Sequence, residues 1–122
     1  MAEKVRAELK SLFSPDADPL NAFRPNGDFG VLVQALIGPE GTKGEESFDF
    51  IVCTPEWFAS DRLPRADSIA SGRHILFMRR FDYVALENFI RNYCASCQGR
   101  TWHDVAEKLA RLGHWEFEDY AP

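Results

Sequence analysis

Cys94 and Cys97 stand at the CxxC spacing that metal and redox sites use. A structural zinc site needs four ligands, and the chain has no second CxxC and no close His pair, only the distant Cys53 and scattered histidines. A thioredoxin-like pair belongs at a helix N-terminus, where the dipole lowers a thiol pKa; this pair falls toward the end of a helical pattern. Free thiols, buried or half-exposed, are therefore expected, with no metal and no cofactor. His74, His103 and His114 are far apart and outside HExxH, and Ser96 and Cys97 sit in no recognised nucleophile motif. A hydrolase would need one of these histidines beside a carboxylate, brought together by the fold. The glycine-rich run from Gly38 to Gly44 lacks the order of a phosphate loop, and Glu45 and Glu46 after it would repel a phosphate. It reads as a hairpin loop.

More informative is the end of the chain, His114-Trp115-Glu116-Phe117-Glu118-Asp119-Tyr120, where aromatics alternate with carboxylates. Trp, Phe and Tyr belong to cores and interfaces, and three acids among them cannot all be buried without partners. The segment either closes the fold or meets another protein. Glu45, Glu46, Glu116, Glu118, Asp119 and Tyr120 are the expected contacts for a protein partner. The terminal acids could also form an acid/base pair, but they show no cleft, and binding is the expected use. Trp57, Trp102, Trp115 and Phe117 lie on apolar faces, so core packing is expected of them.

At 122 residues, 45% apolar and 27% charged, the chain has the make-up of one globular domain spanning residues 1–122. The net charge of -5 is uneven: residues 1–60 carry ten acids against five bases, residues 61–113 six against nine, and residues 114–122 three against none. An acidic balance argues against nucleic acid as the main partner, since phosphate binding depends on clustered Lys and Arg. It suits a basic protein partner, or simply solubility. No apolar run approaches the roughly 20 residues that span a bilayer, and the start lacks the apolar core of a secretory signal, so a cytoplasmic protein with no membrane partner is expected. Three cysteines without a secretory signal point to reduced thiols rather than a disulfide framework.

The elements that must carry these residues follow from periodicity and turn chemistry. Val5 to Leu12 alternates as an edge strand, although its Glu, Lys and Ala also suit a short helix, and the Pro-, Asp- and Gly-rich stretch from Ser14 to Asp28 forms a loop. Phe29 to Ile37 is the clearest strand, with Phe29, Val31, Val33, Ala35 and Ile37 on one face; apolar residues on both faces make it central. Ser47 to Cys53 returns as its hairpin partner, and Thr54-Pro55-Glu56 has the grammar of a short helix start. After a polar stretch, His74 to Met78 makes a fourth strand. Asp82 caps a helix whose stripe is Tyr83, Leu86, Ile90, Tyr93 and Cys97, with Gly99 placed to end it. Thr101 and Asp104 resemble a capping box opening a second helix, with Trp102, Val105, Ala106, Leu109 and Leu112 on one face and Gly113 as its stop. Adjacent strands joined by turns, with helices gathered late, predict an α+β fold: an antiparallel sheet of about four strands with two C-terminal helices packed on one face.

With these segments placed, the chain resembles the immunity protein 8 family of bacterial polymorphic toxin systems. The resemblance runs through Ala7-Glu8-Leu9-Lys10-Ser11, Gln34-Ala35-Leu36-Ile37-Gly38, Glu45-Glu46-Ser47-Phe48-Asp49-Phe50 and the His74-Ile75-Leu76 strand. It continues through the run from Thr101 to Leu109, and its specific elements are Cys53-Thr54-Pro55-Glu56-Trp57 and Trp115-Glu116-Phe117-Glu118-Asp119-Tyr120. Two departures are Phe58, where a Leu is common, and a longer, more basic segment from Asp61 to Arg73. The resemblance implies a non-enzymatic protein that binds and blocks the effector domain of a cognate toxin inside the cell. The alternative on these residues is a regulatory or scaffold module that binds another protein without a toxin partner.

Overall fold

The computed structural model describes residues 4–119. Three long strands form its centre: β1 (Val5–Phe13), β2 (Gly30–Pro39) and β3 (Glu46–Cys53), paired antiparallel in the order β1-β2-β3. β2 is central, as its two-sided apolar pattern predicts. Val31, Val33, Ala35 and Ile37 are buried on one face while Leu32, Gln34 and Leu36 are half-buried on the other. A register shift between Leu9 and Ser11 marks a bulge in β1.

Beyond this meander the sheet departs from the expected four antiparallel strands. β4 (Ile75–Phe77) pairs with β3 in parallel, Ile51 opposite Ile75 and Cys53 opposite Phe77. The reason is the connection: helical turns and a loop between residues 54 and 74 carry the chain back before it re-enters the sheet, which a parallel neighbour requires. Two short strands also join the sheet. β5 (Gln98–Gly99) pairs with the start of β1, and β6 (His114–Trp115) pairs with β3 at Phe48 and Asp49. The sheet is therefore mixed and six-stranded. The outer edge of β3 is shared, by β4 along residues 51–53 and by β6 along residues 48–49.

Three α-helices accompany it among the described residues. α1 (Pro55–Trp57) is one turn, its first N–H groups served by the buried Thr54, whose Oγ1 accepts from the Trp57 amide at 3.3 Å. The same Oγ1 accepts from the Phe29 amide at 3.3 Å, so one hydroxyl joins the start of β2 to the start of α1. α2 (Tyr83–Ser96) opens on Asp82, which accepts from Ala85, and buries Leu86, Ile90 and Cys94. α3 (Trp102–Leu109) opens on Thr101 and buries Val105, Ala106 and Leu109. These faces meet Ala7, Leu9, Val31, Val33, Phe48 and Phe50 in one core.

Neither glycine ends a helix. α2 stops at Ser96 with Cys97 as its cap, which frees Gly99 to pair in β5 opposite Val5. α3 stops at Leu109, four residues before Gly113. Gly113 instead serves close approach: a Cβ there would lie 3.1 Å from the Phe48 carbonyl carbon and 3.2 Å from the Asp49 nitrogen. The chain thus crosses tightly over β3 just before β6.

Candidate functional site

The aromatic and acidic end of the chain closes the fold. Trp115 is buried, its ring nearly parallel to that of Phe48 with centroids 6.4 Å apart. Its indole N–H donates to Glu46 Oε1 at 2.9 Å, and the indole N–H of Trp102 donates to the same oxygen at 2.7 Å. A single carboxylate oxygen at the first residue of β3 thus anchors α3 and β6 together. Each indole gains a charged acceptor, the stronger kind of hydrogen bond, where its ring leaves water. Trp57, Trp102 and Phe117 are only partly buried, Phe117 being 39% exposed.

Glu116 clamps the same strand: its backbone N–H donates to the Ser47 carbonyl at 3.1 Å, and its Oε1 accepts from the Ser47 N–H at 2.8 Å. Glu118 turns inward. Its Oε2 pairs with Arg73 Nη2 at 3.0 Å, and its Oε1 is buried with no hydrogen-bond partner among the described residues. Glu45 and Asp119 are exposed and form no ion pair among the described residues; Asp119 adopts a left-handed φ of 63°. Tyr120 lies outside the described residues.

The structure therefore separates the candidate acids by role. Glu46, Glu116 and Glu118 hold intramolecular partners, while Glu45 and Asp119 present free carboxylates to solvent. Their partners Ser47, Arg73 and Trp102 escape sequence reasoning, because only long-range packing brings them within reach.

The other candidate chemistry resolves into structure. Cys53, Cys94 and Cys97 are buried free thiols. Burial pushes the Cys94 thiol up to about 12, reinforced by Cys97 beside it, and raises Cys97 and Cys53 as well. Such thiols are poor nucleophiles near neutrality. Among the described residues no group of three or more His, Cys, Asp or Glu side chains is placed to hold a metal ion.

His74, in a left-handed conformation at φ 62°, directs Nε2 onto the Ala110 carbonyl at 2.7 Å. It tethers the entry of β4 to the end of α3. His114 meets it edge-on with centroids 6.1 Å apart, and His103 faces Glu107 at 2.8 Å on an exposed helix turn. Among the described residues, no Ser, Thr or Cys side chain hydrogen-bonds to any of the three. Among the described residues no helix is long and apolar enough to cross a membrane.

The fold and this site define a small α+β protein whose candidate chemical groups are largely engaged in its own packing, with charged and aromatic surfaces left outward. A family model described as Immunity protein 8 matches residues 7–120, and the chain belongs to that family of toxin-system immunity proteins. No curated protein and no solved structure matches the chain.

Proposed function

We propose that this protein binds a cognate secreted toxin domain in the bacterial cytoplasm and neutralises it by occupying its surface, without catalysis. The observation that carries the reading is the family match across residues 7–120. The geometry supports it in two respects. The conspicuous histidines and thiols are engaged in packing, tethering or helix-surface contacts rather than gathered around a reacting centre. The acidic end of the molecule leaves Glu45 and Asp119 open to a basic partner.

In this reading Glu45, Glu46, Glu116, Glu118, Asp119 and Tyr120 form the toxin-facing acidic end, with different duties. Glu45 and Asp119 steer the encounter, because exposed charges act mainly on association rate. Glu46, Glu116 and Glu118 hold the end in shape through Trp102, Trp115, Ser47 and Arg73.

The test is co-expression of the toxin domain encoded beside this gene, with and without this protein, followed by pull-down. Restored growth together with a stable complex is the expected result. Folded protein that neither restores growth nor binds overturns the reading in favour of a regulatory or scaffold module.

A further inference from the structure

The helical layer is offset across the sheet, with α2 and α3 packed chiefly on β1 and α3 also on β5. Toward the other edge, between β4 and the N-terminal half of α2, lies an open groove of about 620 Å³. Leu76, Phe77, Met78, Leu86 and Phe89 line it, with Arg79 and Arg80 among them. Phe77 is 51% and Phe89 49% exposed, two large aromatic rings side by side on one open surface. Both are held in place, Phe77 edge-on to Phe58 with centroids 5.7 Å apart and Phe89 tilted against Tyr93 at 6.4 Å.

The charges beside the groove are open. Neither Arg79 nor Arg80 makes an ion pair among the described residues. Arg24 lines two adjoining hollows with Arg80, its Nη1 held by the carbonyls of Asn21 at 3.1 Å and Phe23 at 2.9 Å. The acids nearby are Asp28 and Asp82, and Asp82 Oδ1 already accepts the Ala85 N–H at 3.1 Å. Two guanidiniums thus line a preformed apolar trough, with Arg24 in the adjoining hollows, in a chain whose net charge is -5.

We propose that this groove docks an acidic segment of the toxin domain, seating an apolar side chain between Phe77 and Phe89 and carboxylates on Arg79 and Arg80. The inference rests on the immunity reading and adds a second contact to it. Aromatic anchors and arginines are the residues that dominate interface energies, and a guanidinium fork matches a carboxylate in two parallel hydrogen bonds. A second copy of this chain fits poorly with the groove on the two-fold axis, where Arg79 and Arg80 would face their own counterparts. A nucleic acid is disfavoured by the acidic remainder of the chain. The groove lies at the C-terminal end of β3 and the open Glu45 at its N-terminal end, so charge of opposite sign stands at the two ends of that strand.

The test measures binding of a catalytically silenced toxin domain, the one encoded beside this gene, to the full chain and two variants. The first variant is Arg79→Glu with Arg80→Glu, and the second is Phe89→Asp. Both change exposed side chains, and thermal melting verifies folding. Each is expected to weaken binding by about 100-fold or more, chiefly through faster dissociation, as loss of desolvated anchors does. Unchanged affinity in both folded variants, with the wild type binding, overturns the groove proposal and leaves the immunity reading standing. A wild type that neither binds nor protects removes the immunity reading and the groove proposal with it. A dimer dissolved by the arginine reversals while toxin binding persists assigns the groove to self-association and overturns the proposal.

Discussion

The indole N–H of Trp115 donates to Oε1 of Glu46 at 2.9 Å, joining the last strand to the first residue of β3 across 69 positions of sequence. Trp102 shares that oxygen, so the contact links three elements rather than two. A residue that reads as a surface acid after a glycine-rich loop is thus a fastener of the fold. Any account of toxin recognition at this end of the molecule must separate its structural acids from its open ones.

Replacing Glu46 with Ala leaves two indole donors without their charged acceptor. The expected loss is about 1–3 kcal/mol of stability, the scale for unpaired, partly buried polar groups. Glu46→Gln keeps an acceptor oxygen and should recover most of it. Urea unfolding followed by tryptophan fluorescence measures both; equal stability of Glu46→Ala and wild type would show the fork to be dispensable.

Gly113 passes close over β3, with Phe48 and Asp49 backbone 3.1–3.2 Å from where a Cβ would sit. Gly113→Val should push β6 away from β3 and cost about 1–3 kcal/mol, as overpacking does. Amide exchange at Glu116 should quicken in step, because its N–H bond to the Ser47 carbonyl of β3 loosens. A protected amide with unchanged stability would mean that the crossing yields without cost.

The buried thiols should make stability fall at alkaline pH. An unfolded cysteine ionises near 9.0, whereas in the fold Cys94 holds its proton to about 12. Below pH 9 the thiol is protonated in both states and adds no pH dependence. Above it the unfolded chain loses the proton first, so stability should fall by about 1.4 kcal/mol per pH unit for this thiol. Cys97 and Cys53, raised in the same direction, steepen the slope. Urea midpoints at pH 8, 9 and 10 test this, and Cys94→Ala should flatten the decline. An unchanged slope in that variant would place the alkaline loss elsewhere, for example on Tyr83 and Tyr93, whose hydroxyls are also raised by burial.

Glu45 and Asp119 are the acids on which partner binding can be tested without disturbing the fold. Reversing them to Lys should leave the melting temperature nearly unchanged and slow association with the toxin domain by about tenfold at low salt. Dissociation should hardly move. Stopped-flow association at two ionic strengths decides the matter, and an unaltered rate at both would remove these acids from the encounter surface.

Much of this fold is legible in the chain. Two-residue alternation marks Val31 to Ile37 and Phe48 to Val52 because a strand buried on one face must alternate. Thr54, Asp82 and Thr101 announce three helix starts because the first amides of a helix need a side-chain oxygen. What misled was Gly99 and Gly113, where a helix-ending residue type serves pairing in one case and close approach in the other. A glycine signals that a Cβ is unwelcome and leaves the reason open.

Local chemistry in the sequence by itself determined the elements, their caps, the apolar faces and the α+β class, because each depends on neighbours a few positions away. The tertiary structure alone decided that β4 runs parallel, that β5 and β6 exist, and that Glu46, Glu116 and Glu118 are held while Glu45 and Asp119 are open. Two-residue strands have no periodicity to read. The partner of a carboxylate 69 residues distant is chosen by how β3, α3 and β6 pack, which no local pattern records.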